Sequence, residues 1–204
     1  MYNKPIIVFE GIEGSGKSHH IKQIVNYLKK KKEKFINIRE PGGSKNSEKI
    51  RRLILNKKSN LNKFSDLLLY FAARNENIEK IIKKNYKKKI ILIDRFTDST
   101  IAYQHYGFGI DIKLINFINN FLLRDFNIDC TFLNIVNQKN MVSRLKKRKS
   151  LNRYDKFDLD FFRKVQNGFL KIARKNNKKY TIINSNLDIK ENQNKITQII
   201  DRFL

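Results

Sequence analysis

Residues 11–18 read Gly-Ile-Glu-Gly-Ser-Gly-Lys-Ser, directly after the apolar run Ile6-Ile7-Val8-Phe9. The spacing is that of a phosphate loop, G-x-x-x-x-G-K-[ST], between a strand and a helix. Gly11, Gly14 and Gly16 have no Cβ, so the backbone of Ile12, Glu13 and Ser15 can curl and aim its N–H groups at phosphate oxygens. The following helix turns its positive end to the same oxygens. Lys17 is placed to reach the outer phosphates as a point charge, and the Ser18 hydroxyl to sit on magnesium. The ligand class is therefore a nucleoside polyphosphate with Mg2+, ATP being the common donor.

Other residues extend that chemistry. Arg39-Glu40-Pro41-Gly42-Gly43 follows a second apolar run, a sharp turn in which Arg39 can pair with a phosphate or simply lie on the surface. Asp94-Arg95 closes the run Ile90-Ile91-Leu92-Ile93; Asp94 is a candidate to hold magnesium through water, Arg95 to neutralise a transferring phosphoryl group, and a structural Asp–Arg pair is the alternative. Tyr70 and Arg74 are four apart on a helical stretch, beside an apolar stripe through Leu68, Phe71, Ile78 and Ile82. A ring and a guanidinium so placed can grip a base, but spacing alone favours a partly buried ring and a surface Arg. Thr100, Tyr103 and Gln104 follow in one short helix. Residues 144–158 carry seven basic side chains, among them Arg144, Lys146, Lys147, Arg148, Lys149 and Arg153, and look like a loop able to close over phosphates.

Composition bounds the rest. The chain has 204 residues, which suits one domain over 1–204 with a small lid at about 144–158. Cys130 is the one cysteine, in an apolar context that reads as a buried thiol, and it implies a reducing compartment. His19, His20 and His105 show no metal-ligand spacing and are expected on surfaces. The run 6–9 is too short for a membrane span or a signal-peptide core, so a soluble cytoplasmic protein with no membrane partner is expected. The net charge of +25 invites a nucleic-acid reading. Yet the lysines are spread along the chain among many Asn and Ile, a composition drift rather than one patch, and no nucleic-acid partner is expected.

These residues need a scaffold. Apolar runs at 5–9, 35–38, 90–93, 130–136 and 180–183 alternate with helical patterns at 17–32, 47–55, 65–86, 112–124, 138–147, 160–176 and 189–203. Strands alternating with helices argue for a parallel sheet covered on both faces, with ligands beyond the carboxyl ends of its strands. Glu10, Arg39 and Asp94 then share one rim, and the 90–93 strand should neighbour the first.

GIEGSGKS, REPGG, Tyr-Phe-Ala-Ala-Arg at 70–74, DRFTDSTIAYQ at 94–104 and the Arg144…Arg148…Arg153 segment together resemble thymidylate kinase. The resemblance runs from Ile6 to about Phe169. It implies the phosphate-loop nucleoside monophosphate kinase fold: α/β, three layers, a five-stranded parallel sheet and a lid. It also implies transfer of the ATP γ-phosphoryl group to dTMP with Mg2+, and a homodimer. By resemblance Glu13 contacts the acceptor sugar, Arg39 and Arg95 the acceptor phosphate, Tyr70 stacks on thymine and Arg74 meets its carbonyl. Thr100 and Gln104 read the base, Tyr103 packs under the sugar, and Pro41 and Arg51 belong to the same site. Gly14 stands where some members carry a basic loop residue, so the chain resembles the bacterial type in which lid arginines serve: Arg148 and Arg153, with Arg144 behind them. Tyr70 replaces the usual Phe, and Asp155 a frequent Glu.

The expected mechanism is positioning and charge neutralisation by Lys17, Arg95 and the lid arginines. A kinase of deoxynucleosides or of dUMP is the nearest rival. A basic phosphate-loop ATPase that binds nucleic acid is the rival from another class.

Overall fold

Five runs rich in Ile, Val and Phe become strands in the computed structural model, which describes residues 4–148 and 150–204. Ile6–Glu10 (β1) leads through the phosphate loop into Lys17–Lys30 (α1), then Phe35–Arg39 (β2), Lys45–Leu55 (α2) and Lys63–Asn77 (α3). Helix α3 runs on through a π-helical turn, Ile78–Ile82, into the short Lys83–Asn85 (α4). Ile90–Asp94 (β3) is followed by Thr97–Thr100 (α5), which continues as a π-helix, Ile101–Gly107. Ile112–Leu123 (α6), Cys130–Ile135 (β4), Gln138–Lys146 (α7), Leu159–Lys175 (α8), Tyr180–Asn184 (β5) and Ile189–Asp201 (α9) complete the order.

All strand pairs are parallel, in the order β2-β3-β1-β4-β5. The central strands β1, β3 and β4 are nearly continuous apolar runs because both their faces are covered; the edge strands β2 and β5 are more exposed. Ile7, Phe9 and Phe132 pack against Ile21, Ile24 and Leu28 of α1 and Ile196 and Ile200 of α9. On the other face Ile6, Val8, Ile91 and Ile93 meet Ile78, Ile82 and Phe96, while Leu133 meets α8 through Phe162, Val165 and Phe169. This is the expected three-layer arrangement.

The chain leaves β1 for one side of the sheet and later fills the other, so a crevice opens at the carboxyl end of β1. As expected, β3 is the neighbour of β1, and Arg39 and Phe9 both lie in register with Asp94. Helix starts show what is special there. Helices α2, α3, α6, α7, α8 and α9 begin with Ser44, Asn62, Asp111, Asn137, Asp158 and Asp188, each accepting a first-turn N–H through its side chain. Helix α1 begins at Gly16, in the left-handed region, with no side-chain cap among the described residues. Its first N–H groups are left for an anion.

Two local expectations change. The buried stripe of α3 runs through Leu67 and Phe71, and Leu68 is exposed, because the helix meets α6 and the 97–107 helix on a face one residue round. The segment 144–158 is not all loop: Arg144 lies in the last turn of α7, and Tyr154–Lys156 forms a 3-10 turn.

Candidate active site

The phosphate loop is shaped by close backbone approach. Gly11 has φ +136°, and a Cβ there would lie 2.1 Å from the Asn134 carbonyl oxygen. Gly14 and Gly16 also take positive φ, +69° and +88°, where only glycine is unstrained. Lys17 Nζ donates to the carbonyl oxygens of Gly11 (2.8 Å) and Ile12 (3.0 Å). Burial, reinforced by the nearby Arg95, lowers the Lys17 ammonium to about 8, so it is charged at neutral pH. Arg144 Nη1 donates to the Gly14 carbonyl (2.9 Å) and its Nη2 to that of Ser185 (2.7 Å). Ser185, just past β5, donates through Oγ to the Ser15 carbonyl at 2.5 Å. Residues 14–19, Arg144 and Arg148 line an open cleft of about 520 Å³.

A second cleft, about 550 Å³, adjoins the first. Glu13, Pro41, Arg51, Tyr70, Arg74, Arg95, Thr100, Tyr103 and Gln104, nine of the residues expected to meet the acceptor, line it, together with Asn152 and Tyr154 from the lid segment. Arg95 joins the two clefts. Its Nη1 donates to the Gly11 carbonyl (2.8 Å), and its Nη2 pairs with Glu13 at 2.7 Å. It pairs with Glu13, not with the adjacent Asp94. Arg95 has φ +66°, a conformation costly for a side chain with a Cβ, which turns the guanidinium back over the loop. Burial works against its charge, but Glu13, together with Tyr103, Asp94 and Glu10, overcomes it and raises the guanidinium's pKa. Burial pushes Glu13 the other way too, and Arg95 and Lys17 together hold it below the usual carboxylate range. The Tyr103 hydroxyl donates to the second Glu13 oxygen, and the Arg95 guanidinium lies 5.2 Å from the Tyr103 ring centre.

Arg74 is the largest wholly buried side chain. Its Nε pairs with Glu40 (2.8 Å), its Nη1 donates to Asn119 (3.1 Å), and its Nη2 donates to the Phe96 carbonyl and Thr100 Oγ1, both at 2.9 Å. The surface Arg that spacing favours is thus the hub of a buried network. A guanidinium has five N–H donors; the protein takes four, and one remains for the cleft. Asn77 donates to Glu40 Oε1 (3.3 Å) and to the Gly42 carbonyl (2.6 Å), and Arg51 donates to the Pro41 carbonyl (2.6 Å). Those bonds fix the 40–43 turn, in which the Glu40–Pro41 bond is cis.

Two expected residues, Arg39 and Arg153, lie elsewhere. Arg39 is exposed, 3.7 Å from Glu48, and faces an outer groove with Ser18 and Asp94 instead of the acceptor cleft. Its strand, β2, is the edge of the sheet, and Arg39 shares its groove with Ser18, Ile21, Lys22 and Val25 of α1. Arg153 is absent from the phosphate-loop cleft because its Nη2 is paired with buried Asp66 of α3 at 2.5 Å. Arg148 borders that cleft while its Nη1 holds Asp155 at 2.6 Å. Lys149 lies outside the described residues. His20 is buried, not on a surface, with Nδ1 2.8 Å from Gln193 of α9; burial lowers its pKa. Cys130 is buried as expected, and burial raises its thiol to about 12, which leaves it inert.

Sequence reasoning missed the acidic partners. Glu10, wholly buried, accepts from the N–H groups of Phe96 (2.8 Å) and Ser99 (3.1 Å) and caps the 97–107 helix. Asp98 accepts from the Tyr180 hydroxyl, and burial, then the facing Glu10, raises it to about 7. Glu40 had a legible signal, a carboxylate at a strand end beside Arg39. Asp66 had one too, a residue four before Tyr70 on the same helix face.

A family model described as thymidylate kinase matches residues 9–196. A thymidylate kinase of Thermosipho africanus is 41% identical over 169 residues, covering 82% of this chain and 84% of its own. One from Ehrlichia ruminantium is 40% identical over 196 residues, covering 95% and 94%. The crystal structure of thymidylate kinase from Ehrlichia chaffeensis superposes with a TM-score of 0.79 at 34% identity, covering 97% of this chain and 98% of that one.

Proposed function

This chain belongs to the thymidylate kinase family, ATP-dependent phosphotransferases that convert dTMP to dTDP, and we propose that its two adjoining clefts hold the two nucleotides end to end. The observation that carries the reading is Arg95, which lines the acceptor cleft while donating to Gly11 inside the phosphate loop. A cation there can touch the acceptor phosphate and the group in flight.

The attacking atom is an oxygen of the dTMP phosphate, already anionic, so no strong base is needed. The task is to align two polyanions and to stabilise charge spread over the transferring group. Lys17 and the open N–H groups of α1 hold the donor phosphates; Arg144 and Arg148 border them from the lid side. Arg95, kept charged and oriented by Glu13, serves the acceptor phosphate. Tyr103 closes the floor beneath the sugar, and Tyr70, Thr100 and Gln104 surround the base with the one free N–H of Arg74. Arg39 meets nucleotide only if its exposed side chain swings round from Glu48.

Ser18 and Asp94 line one groove and offer hard oxygen donors, a set suited to Mg2+. No cluster of three or more His, Cys, Asp or Glu able to hold a metal occurs among the described residues. There Mg2+ would neutralise charge on the donor phosphates. No helix among the described residues is long and apolar enough to cross a membrane; the cytoplasm, where ATP and dTMP meet, is the location this reading implies. Phe64 and Leu68 of α3 and Phe117 and Phe121 of α6 are large and exposed on neighbouring helices, a face that suits the homodimer the family resemblance implies.

The test is a panel of nucleoside monophosphates with ATP, followed by ADP release. dTMP should be the best acceptor, with dUMP behind it by the value of one methyl group, about 1–3 kcal/mol. A different preferred acceptor, or equal ADP release without one, would overturn the reading.

A further inference from the structure

The segment joining α7 to α8 divides at its middle. Arg148 near its start, with Arg144 in the last turn of α7, borders the phosphate-loop cleft, whereas Asn152 and Tyr154 line the acceptor cleft. The second half is fastened by one buried carboxylate. Asp66 Oδ1 accepts from Arg153 Nη2 (2.5 Å), and its Oδ2 accepts from the Tyr154 hydroxyl. Asp66 itself does not line the cleft. Tyr154 does, with its ring edge-on to Tyr70 (centres 6.2 Å apart) and to Tyr103 (5.7 Å), and Gln104 Nε2 lies 3.4 Å from its hydroxyl. The Tyr154 side is further packed by Phe108 and Phe157.

From this arrangement we infer that Asp66 is a positioning residue for the acceptor nucleotide, acting through Tyr154 and Arg153, and that Arg153 is a strut of the acceptor wall and not a donor-phosphate ligand. The inference rests on the reading of the second cleft as the dTMP site. Its physical basis is the number of anchors. Residues 147–148 and 150–153 lie in no helix or strand, and the carboxylate gives Arg153 and Tyr154 two charge-assisted bonds from a helix that also carries Tyr70 and Arg74. With Asp66 in place, an aromatic from the lid segment completes a cage of tyrosines before substrate arrives, so the ordering cost of that wall is met in folding rather than on binding. The donor half is held differently, Arg144 by two backbone carbonyls and Arg148 by Asp155.

The experiment compares Asp66→Asn, Tyr154→Phe and the double variant by steady-state kinetics with each substrate varied in turn, and by calorimetric titration with dTMP. Loss of one charge-assisted bond corresponds to about tenfold in affinity. The dTMP KM and Kd should rise about tenfold in Asp66→Asn and less in Tyr154→Phe, with the ATP KM unchanged and the double variant no worse than Asp66→Asn. Tyr154→Phe keeps the ring, so it serves if Asp66→Asn folds poorly. Arg153→Ala should likewise raise the dTMP KM at unchanged ATP KM. The inference is overturned if dTMP affinity is unchanged in these variants, if the two losses simply add, or if Arg153→Ala raises the ATP KM instead. Failure of the site reading looks different: Tyr70→Ala would then leave dTMP affinity unchanged in an otherwise intact enzyme.

Discussion

The acceptor cleft and the donor cleft lie side by side but are built from different material. The acceptor cleft is walled by side chains that are buried and already bonded to one another: Arg74 to Glu40, Asn119 and Thr100, and Glu13 to Arg95 and Tyr103. The donor cleft is mostly backbone, a glycine-rich turn and an uncapped helix, bordered by arginines that reach it from other elements. A base and a sugar must be distinguished from near relatives, which needs rigid, directional partners. A triphosphate needs field strength and room to enter and leave, which N–H groups and the cations at an open border supply.

The largest effects should come where the clefts join. Lys17→Ala and Arg95→Ala should each lower kcat by about a thousandfold or more in an ADP-release assay, because each removes a cation aimed at developing charge. Full activity in Arg95→Ala would break the claim that the clefts meet there.

Arg74→Ala tests the rigid side. It leaves Glu40 buried without its cation, at a cost of about 3–5 kcal/mol, so a denaturation curve should move before selectivity for dTMP can be read. On sequence alone the same change would be expected to act chiefly on dTMP selectivity; the burial of the pair reverses that order. If stability is unchanged and only selectivity falls, the acceptor wall is less prebuilt than described here.

Arg144→Ala tests the donor side. It should raise the ATP KM by about tenfold, leaving the dTMP KM and the unfolding midpoint nearly unchanged, since its partners are two backbone carbonyls at the surface of the cleft.

Asp98 offers a pH test of the packing beneath the acceptor helix. Burial and Glu10 raise its carboxyl to about 7, above the value near 4 of an unfolded chain. The folded state therefore holds that proton longer, and the contribution to stability is complete below about pH 4 and is lost as the pH rises to about 7. Asp98→Asn should flatten the fall in thermal midpoint over that window while still accepting from Tyr180. The smallest effect concerns Asn134, buried in β4 with both amide atoms unpartnered among the described residues. Asn134→Leu should raise stability by about 1 kcal/mol, read from a denaturant midpoint.

How much was legible follows from range. The phosphate loop and the strand ends at Glu10, Arg39 and Asp94 are local or periodic features, the pairing of β1 with β3 follows from the sheet that a phosphate loop implies, and the structure agrees with them. Tyr70, Thr100, Tyr103, Gln104 and Arg95 entered by motif resemblance, and they do converge on one cleft. What failed was long-range pairing. Arg74 looked like a surface residue because its carboxylate partner is 34 positions away in the chain. Arg153 looked unpaired because nothing nearby in the chain shows that Asp66, 87 positions earlier, accepts from it. His20, two residues after Ser18, looked exposed because its partner Gln193 is on the last helix.

By itself the chain of residues determined the ligand class, the sheet and the place of the site, because glycine spacing, apolar runs and turn chemistry act over a few residues each. The tertiary structure alone decided which cations are committed to protein carboxylates and which remain for phosphate, because ion pairs form across elements that only folding brings within about 3 Å.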